Sequence, residues 1–358
     1  MGTASRAERV LVTGATGFIA GHCVHDLLER GYAVRGTVRP GASADKTAHL
    51  RQIAERVGGS LEIVEADLGD DRGWKEAVAG CAYVLHVASP FPPGPPDDEN
   101  DVVGPAVAGA KRVLHACADD DGVRRVVMTS SVAAVIGGHD QADPTVRTEA
   151  DWAIPERCDA YRKSKTLAER AAWELVDGLP EDRRFEFAVV LPGMCLGPLL
   201  NADANTSLQA VKKLMAREMP GVPRLGFATV DVRDVAAAHL LAMERPEAPG
   251  NRYILAGENI WMREIAELLA AEFGPAGYRV PTREMPNWMV RIAARFDKTV
   301  RLVVSFLGQG ELVSPDKAIR ELGWSMRPAK QTIIDTGYSL IDHELVPAPK
   351  SKQPAAVR

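Results

Sequence analysis

The sequence predicts an α/β fold, a doubly wound parallel sheet followed by a smaller, mostly C-terminal domain, and three observations carry that prediction. Short β-branched and aliphatic runs alternate with stretches of helical spacing from Val10 to Leu191. A glycine-rich turn joins the first strand to the first helix. The strand runs are apolar without clean two-residue alternation, as expected when helices cover both faces of a parallel sheet.

The elements follow in order. The run ERVLV leads to Thr13, glycines follow, and Phe18 to Arg30 carries apolar residues at helical spacing. Gly31 stands where a left-handed residue ends a helix, and Tyr32 to Val38 resumes a β-rich pattern. Further strands are expected at Leu61 to Ala66, at Ala82 to Val87 after the turn-like Gly80, and at Arg124 to Thr129. A helix from Cys158 to Asp177 precedes a sixth strand, Phe185 to Leu191, after which Pro192 and Gly193 break the rhythm. Beyond Asn201, helical segments such as Ser207 to Met219 and Trp261 to Glu272 are interrupted by Pro and Gly. The expected division is a nucleotide-binding and catalytic domain over 1–192 and a mainly substrate domain over 193–345. Residues 228–245 are candidates to return to the first domain, and 346–358 read as a mobile tail of low apolar content.

Composition removes other classes. With 43 basic against 48 acidic residues the formal charge is -5, which argues against nucleic acid as the principal partner. A chain that is 46% hydrophobic and 25% charged is neither disordered nor fibrous. The five cysteines are scattered, with no metal-ligand spacing, and read as free thiols of a reducing compartment. The N-terminal residues lack the apolar core of a signal peptide, and no run approaches the length of a membrane span. The expectation is a cytoplasmic protein, monomer or homodimer, with no metal, membrane or nucleic-acid partner.

The turn reads Gly14, Ala15, Thr16, Gly17, Phe18, Ile19, Ala20, a GxxGxxA spacing between a strand and a helix. Gly14 makes the tight turn, Gly17 lets a pyrophosphate approach the helix N-terminus, and Ala20 permits close packing on the sheet. This is a Rossmann-type dinucleotide signature. The second strand ends Thr37, Val38, Arg39, Pro40 with no carboxylate to bind an adenosine ribose. Arg39, with Lys46 downstream, suits a ribose 2'-phosphate, so the expected cofactor is NADPH. Asp67 and Leu68, after the third strand, are placed at the adenine, and Val87, Ala88 and Ser89 after the fourth at the nicotinamide half. His86 reads as a packing residue.

The fifth strand ends Thr129, Ser130, Ser131, with Thr129 expected at the cofactor, and the segment YRKSK sets Tyr161 and Lys165 four apart on one helical face. A nearby ammonium stabilises a phenolate, so this pair can pass a proton to an alkoxide as hydride reaches carbon. Ser131 is expected to orient the substrate carbonyl. Ser130 is the alternative if the strand ends one residue earlier.

These motifs, VTGATGFIA, TVR, ADL, HVASPF, VVMTSS, YRKSK, LPGMCLGP and VDVRDVAAAHL, make the chain resemble the extended short-chain dehydrogenases/reductases, and within them the dihydroflavonol reductase and cinnamoyl-CoA reductase group with its microbial aldehyde and ketone reductases. The resemblance spans most of the chain. It implies a catalytic set of Ser131, Tyr161 and Lys165, with Tyr161 and Lys165 also at the cofactor. It implies Pro192 and Gly193 against the nicotinamide, with Ser207 as a further contact, and a structural rather than catalytic role for Asp231 and Asp234. The expected reaction is NADPH-dependent reduction of an aldehyde or ketone whose remainder is partly apolar or aromatic. Phe91, Cys158 and Cys195 are candidates to shape the substrate pocket, and Met215, Met219, Phe227, Met285, Trp288 and Met289 are candidates for its wall, with core packing the expected role for most. The alternatives are an NAD-dependent nucleotide-sugar epimerase or dehydratase, which Arg39 disfavours, and a noncatalytic dinucleotide sensor, which would not need the intact Ser-Tyr-Lys set.

Overall fold

A computed structural model describes residues 8–90, 98–140, 143–202, 206–296, 300 and 304–349. Its centre is a seven-stranded parallel sheet built from β1 (Arg9–Val12), β2 (Ala33–Val38), β3 (Leu61–Glu65), β4 (Tyr83–His86), β5 (Arg125–Thr129), β6 (Glu186–Pro192) and a late strand, β9 (Arg252–Leu255). The order is β3-β2-β1-β4-β5-β6-β9. It reverses between β1 and β4, which is where ligands of open α/β sheets bind.

Two cores flank this sheet. Val10, Val12, Leu85, Val127, Ala188 and Val190 face α1 (Phe18–Glu29), α2 (Ala44–Val57) and α8 (Val232–Glu244). The intervening Leu11, Val84, Val126, Met128, Val189 and Leu191 face α3 (Trp74–Val78), α4 (Asn100–Ala118), the short α5 (Ala133–Ile136) and α6 (Ala160–Asp177). Both faces are therefore dry, and each fully buried Val or Leu contributes about 1.5–3 kcal/mol. This explains why the strand runs lack alternation.

A second sheet, β7 (Met194–Leu196), β8 (Gly226–Asp231) and β10 (Asn259–Trp261), runs in the order β10-β8-β7. It lies beside a third core made with α7 (Thr206–Met215), α9 (Met262–Phe273), α10 (Asn287–Ala293) and α11 (Ala329–Asp342).

The chain crosses between these bodies more than the residue pattern indicated. The helix considered for return, α8, does pack on α1. Arg252–Leu255 also returns and pairs in parallel with β6. The tail expected from 346 is anchored at its first residue, because Val346 is buried in the third core, while residues 350–358 lie outside the described residues. Among the described residues no helix is long and apolar enough to cross a membrane.

Candidate active site

The nucleotide end is built by the turn after β1. Gly14 adopts φ +63°, a conformation that disfavours side chains, and a Cβ there would stand 3.0 Å from the Ala88 methyl. Its N–H donates to the Thr37 hydroxyl at 2.9 Å. The Thr13 hydroxyl lies 3.0 Å from His86 Nδ1 and accepts the Ala88 N–H at 2.9 Å, locking the ends of β1 and β4 together. Burial, helped by the Lys165 charge, pushes His86 down to about 4, so it is a neutral link. Gly36, unremarked in the sequence pattern, lies under this turn, where a Cβ would meet the Ala15 methyl at 2.6 Å.

The chain's residues fit a dinucleotide phosphate. The α1 N-terminus, with Thr16, Gly17, Phe18 and Ile19 at its mouth, has no side-chain cap and no acidic residue in its first turn, leaving N–H donors for an anion. Arg39, just after β2, and Lys46, in the first turn of α2, are exposed. Arg35 is the opposite case. It is buried, paired with Glu62 at 2.9 Å, and donates to three carbonyls of the 76–79 segment. Asp67 turns its carboxylate onto the Gly69 N–H at 2.7 Å, and Leu68 packs toward Gly109. Val87 is half-buried and packs against the core that holds α1.

Leu68, His86, Ala88, Ser89, Thr129, Ser130 and Lys165 line one crevice. The structure thus brings five expected cofactor residues together. Thr129 stands there, but its hydroxyl is 2.6 Å from buried His239 Nε2. Pro192 closes the adjoining strand end, accepting the Val132 N–H at 3.1 Å. Gly193 has no room for a side chain, because a Cβ would fall 2.0 Å from the Ala228 carbonyl. Ser207 lies half-buried near the start of α7, with no hydrogen bond among the described residues tying it to the crevice.

Asp159 caps α6 by accepting the N–H groups of Tyr161 and Arg162 at 3.0 and 3.1 Å, which starts the helix at Ala160 and sets Tyr161 in its first turn. The two serines divide here. The Ser131 hydroxyl hydrogen-bonds the Tyr161 side chain, whereas the buried Ser130 hydroxyl donates to Glu169 Oε2 at 2.6 Å. The expectation that Lys165 lowers the Tyr161 pKa needs correction. Burial raises the phenol above its ordinary value, and the Ser131 bond is the main influence working downward. Lys165 is itself pushed down to about 8 by burial, opposed by Glu169.

Two charged groups beside the tyrosine escaped the sequence reading. Arg162 lies over the Phe306 ring at 4.1 Å. Glu311 accepts the Ala228 N–H at 3.0 Å and is raised by burial, with Arg162 acting against that rise. Nothing in the spacing of residue 311 announces its approach to residue 161.

Other expectations resolve simply. Asp231 caps α8, accepting from the Arg233 N–H and guanidinium and from Thr332. Asp234 accepts from Arg327. Met215 is core, and Met219, Phe227 and Met285 pack against it. Trp288 and Met289 are not core, being 62% and 42% exposed on α10. Cys158 is half-buried and Cys195 buried, both with thiols raised by burial, and all five cysteines are unpaired. Phe91 lies outside the described residues. An open groove of about 620 Å³ beside Arg217, Met219 and Arg279 contains none of the reacting groups.

Comparison with known proteins agrees with this geometry. Residues 10–257 match the model of the NAD dependent epimerase/dehydratase family. Cinnamoyl-CoA reductase 1 of Petunia hybrida is 35% identical over 98% of this chain and 97% of its own. An anthocyanidin reductase of Vitis vinifera is 35% identical over 76% and 82%. The NADPH complex of yeast methylglyoxal/isovaleraldehyde reductase Gre2 superposes with a TM-score of 0.76 at 31% identity, covering 94% of this chain and 99% of that one. A glycine turn after β1, a crevice at the sheet's reversal and a Ser-Tyr-Lys cluster at the end of β5 thus stand on a chain that belongs to the NAD dependent epimerase/dehydratase family, the extended short-chain dehydrogenases/reductases.

Proposed function

We propose that the protein reduces an aldehyde or ketone to the alcohol with NADPH, and that Tyr161 is the proton donor. The observation that carries this reading is the hydrogen bond between the Ser131 hydroxyl and the Tyr161 side chain, with Lys165 one turn further along α6 in the crevice beside His86 and Ser130. When bound, the dinucleotide supplies the hydride. Ser131 holds the carbonyl oxygen as charge develops on it, and the Tyr161 hydroxyl gives that oxygen its proton. Burial favours the protonated phenol, which suits an acid in the reductive direction. Lys165 would hold the nicotinamide ribose through its ammonium.

Support for NADPH comes from the uncapped α1 N-terminus and from Arg39 and Lys46, both exposed after β2, a strand whose own last residues include no carboxylate. The same feature weighs against the NAD-dependent sugar epimerase reading. The relatives named as reductases of cinnamoyl-CoA, anthocyanidin and isovaleraldehyde make a small carbonyl compound with an apolar or aromatic remainder the favoured substrate. The five free thiols suit a reducing, cytoplasmic setting, with the protein acting as monomer or homodimer.

The test mixes purified protein with NADPH or NADH and a panel of aromatic, aliphatic and β-keto carbonyls, following cofactor absorbance. Oxidation of NADPH with at least one carbonyl is expected, and silence across the panel would refute the reading. Tyr161→Phe should keep NADPH binding and lose at least 100-fold in turnover. Wild-type turnover in that variant would dismiss the tyrosine as donor.

A further inference from the structure

Glu169 has no exposed surface and is hydrogen-bonded through both carboxylate oxygens. It lies one helical turn beyond Lys165 on α6. Its Oε2 accepts the Ser130 hydroxyl at 2.6 Å, and its Oε1 accepts Arg252 Nε at 2.5 Å and Trp173 Nε1 at 3.4 Å. Arg252, delivered by β9, donates to the carbonyls of Glu149 and Asp151 at 2.9 Å each and lies over Trp152 at 3.7 Å. The carboxylate is therefore fixed from β5, from β9 and from the segment before α6. Buried ion pairs are weak stabilisers compared with apolar packing of the same volume. This one sits directly behind the crevice.

We propose that Glu169, held by Ser130 and Arg252, is a positioning residue that keeps the Lys165 ammonium charged in the cofactor crevice. The proposal rests on the reading of Lys165 as part of the catalytic set. Desolvation pulls Lys165 toward the neutral amine, and the carboxylate one turn along its own helix is the charge that opposes this. From β4, Lys165 faces His86, which is neutral at working pH. Tyr161 stands one turn before it, with a phenol that stays protonated. Arg252 is paired with Glu169. Deleting the anion should therefore let Lys165 lose its proton at lower pH, and deleting Arg252 should do the reverse.

The experiment records pH profiles of kcat/KM for NADPH, and of NADPH binding by fluorescence, with melting curves, on the full chain. Wild type should lose activity on an alkaline limb near pH 8. In Glu169→Gln that limb should move down by about one pH unit. Glu169→Asp keeps the charge and should leave the limb within a few tenths of a unit, although both variants melt earlier. Arg252→Gln should move it upward, a direction that general loosening would not give, and this variant decides the matter if Glu169→Gln is insoluble. A limb unmoved by Glu169→Gln, or one that moves the same way in Glu169→Gln and Arg252→Gln, overturns the proposal. Lys165→Arg separates the two readings, since a guanidinium does not titrate in this range. If that variant keeps the wild-type limb, the lysine assignment itself fails. If it loses the limb while Glu169→Gln keeps it, only the role of Glu169 fails.

Discussion

Replacing Ser130 and Ser131 one at a time by alanine separates a structural hydroxyl from a reacting one. Ser130 is 4% exposed and donates to a buried carboxylate at 2.6 Å. Losing a hydrogen bond to a charged group costs about 1.5–3 kcal/mol. With an unfolding entropy of roughly 2.1 cal/mol/K per residue, a chain of this length changes by on the order of 0.75 kcal/mol per kelvin near its midpoint. Ser130→Ala should therefore melt roughly 2–4 °C earlier, with turnover kept within about tenfold of wild type because its hydroxyl faces Glu169 rather than Tyr161. Ser131 is half-buried. Besides its bond with Tyr161, it accepts the Ala133 N–H at 3.2 Å and has only a long 3.5 Å contact with the Pro192 carbonyl. Ser131→Ala should shift the melting midpoint by about 1 °C or less. It should lower kcat/KM by roughly 10²–10³, as removal of one donor to a developing oxyanion does. Thermal melts and NADPH oxidation with one reactive carbonyl give both readouts. The inverse pattern, a heat-stable, inactive Ser130→Ala beside an active Ser131→Ala, would refute the assignment.

Three further outcomes follow from the same geometry. Arg39→Ala should weaken NADPH by about 10- to 100-fold while leaving NADH unchanged, since only the former offers a 2'-phosphate; equal losses for both in steady-state KM would remove Arg39 from that role. Lys165→Met should abolish turnover yet raise the melting temperature at pH 7 by roughly 1–4 °C. Burial holds the folded pKa of Lys165 at about 8, below the ordinary 10.5, so the charged lysine opposes folding fully below pH 8 and the penalty fades as pH rises toward 10.5. A melting gain that persists undiminished at pH 10.5 would contradict this. Gly36→Ala places a methyl 2.6 Å from the Ala15 Cβ and should cost about 1–3 kcal/mol of stability, with weaker NADPH binding in titration; wild-type affinity would mean the turn absorbs the methyl without moving.

Much of the fold and the candidate site was legible because its signals are local. Gly14 at positive φ, Gly17 at the start of α1, and Tyr161 and Lys165 one turn apart all write their geometry into a few consecutive residues. The strands β1 to β6 could be read for the same reason, since each is a short apolar run bounded by turn residues. Glu169 was half-legible, being four residues beyond Lys165, but its importance depends on Arg252, 83 residues away. The short β9 carries no helix-strand rhythm of its own and joins the sheet only because β6 offers an open edge. Trp288 and Met289 looked like wall or core by composition, and their exposure is set by which face α10 turns to its neighbours.

The amino-acid sequence alone determined the doubly wound architecture, the glycine turn after β1, and the helix that carries Tyr161 and Lys165 one turn apart. These follow from backbone preferences and helical or strand periodicity, which act over a few residues. Tertiary structure alone decided which of two adjacent serines meets Tyr161 and which is tied to Glu169. It also decided that burial pushes the Lys165 pKa down to about 8 against the opposing pull of one carboxylate, and that Glu311 approaches the tyrosine. Those outcomes depend on desolvation and on charges brought together from distant parts of the chain, and both come into being only when the elements pack.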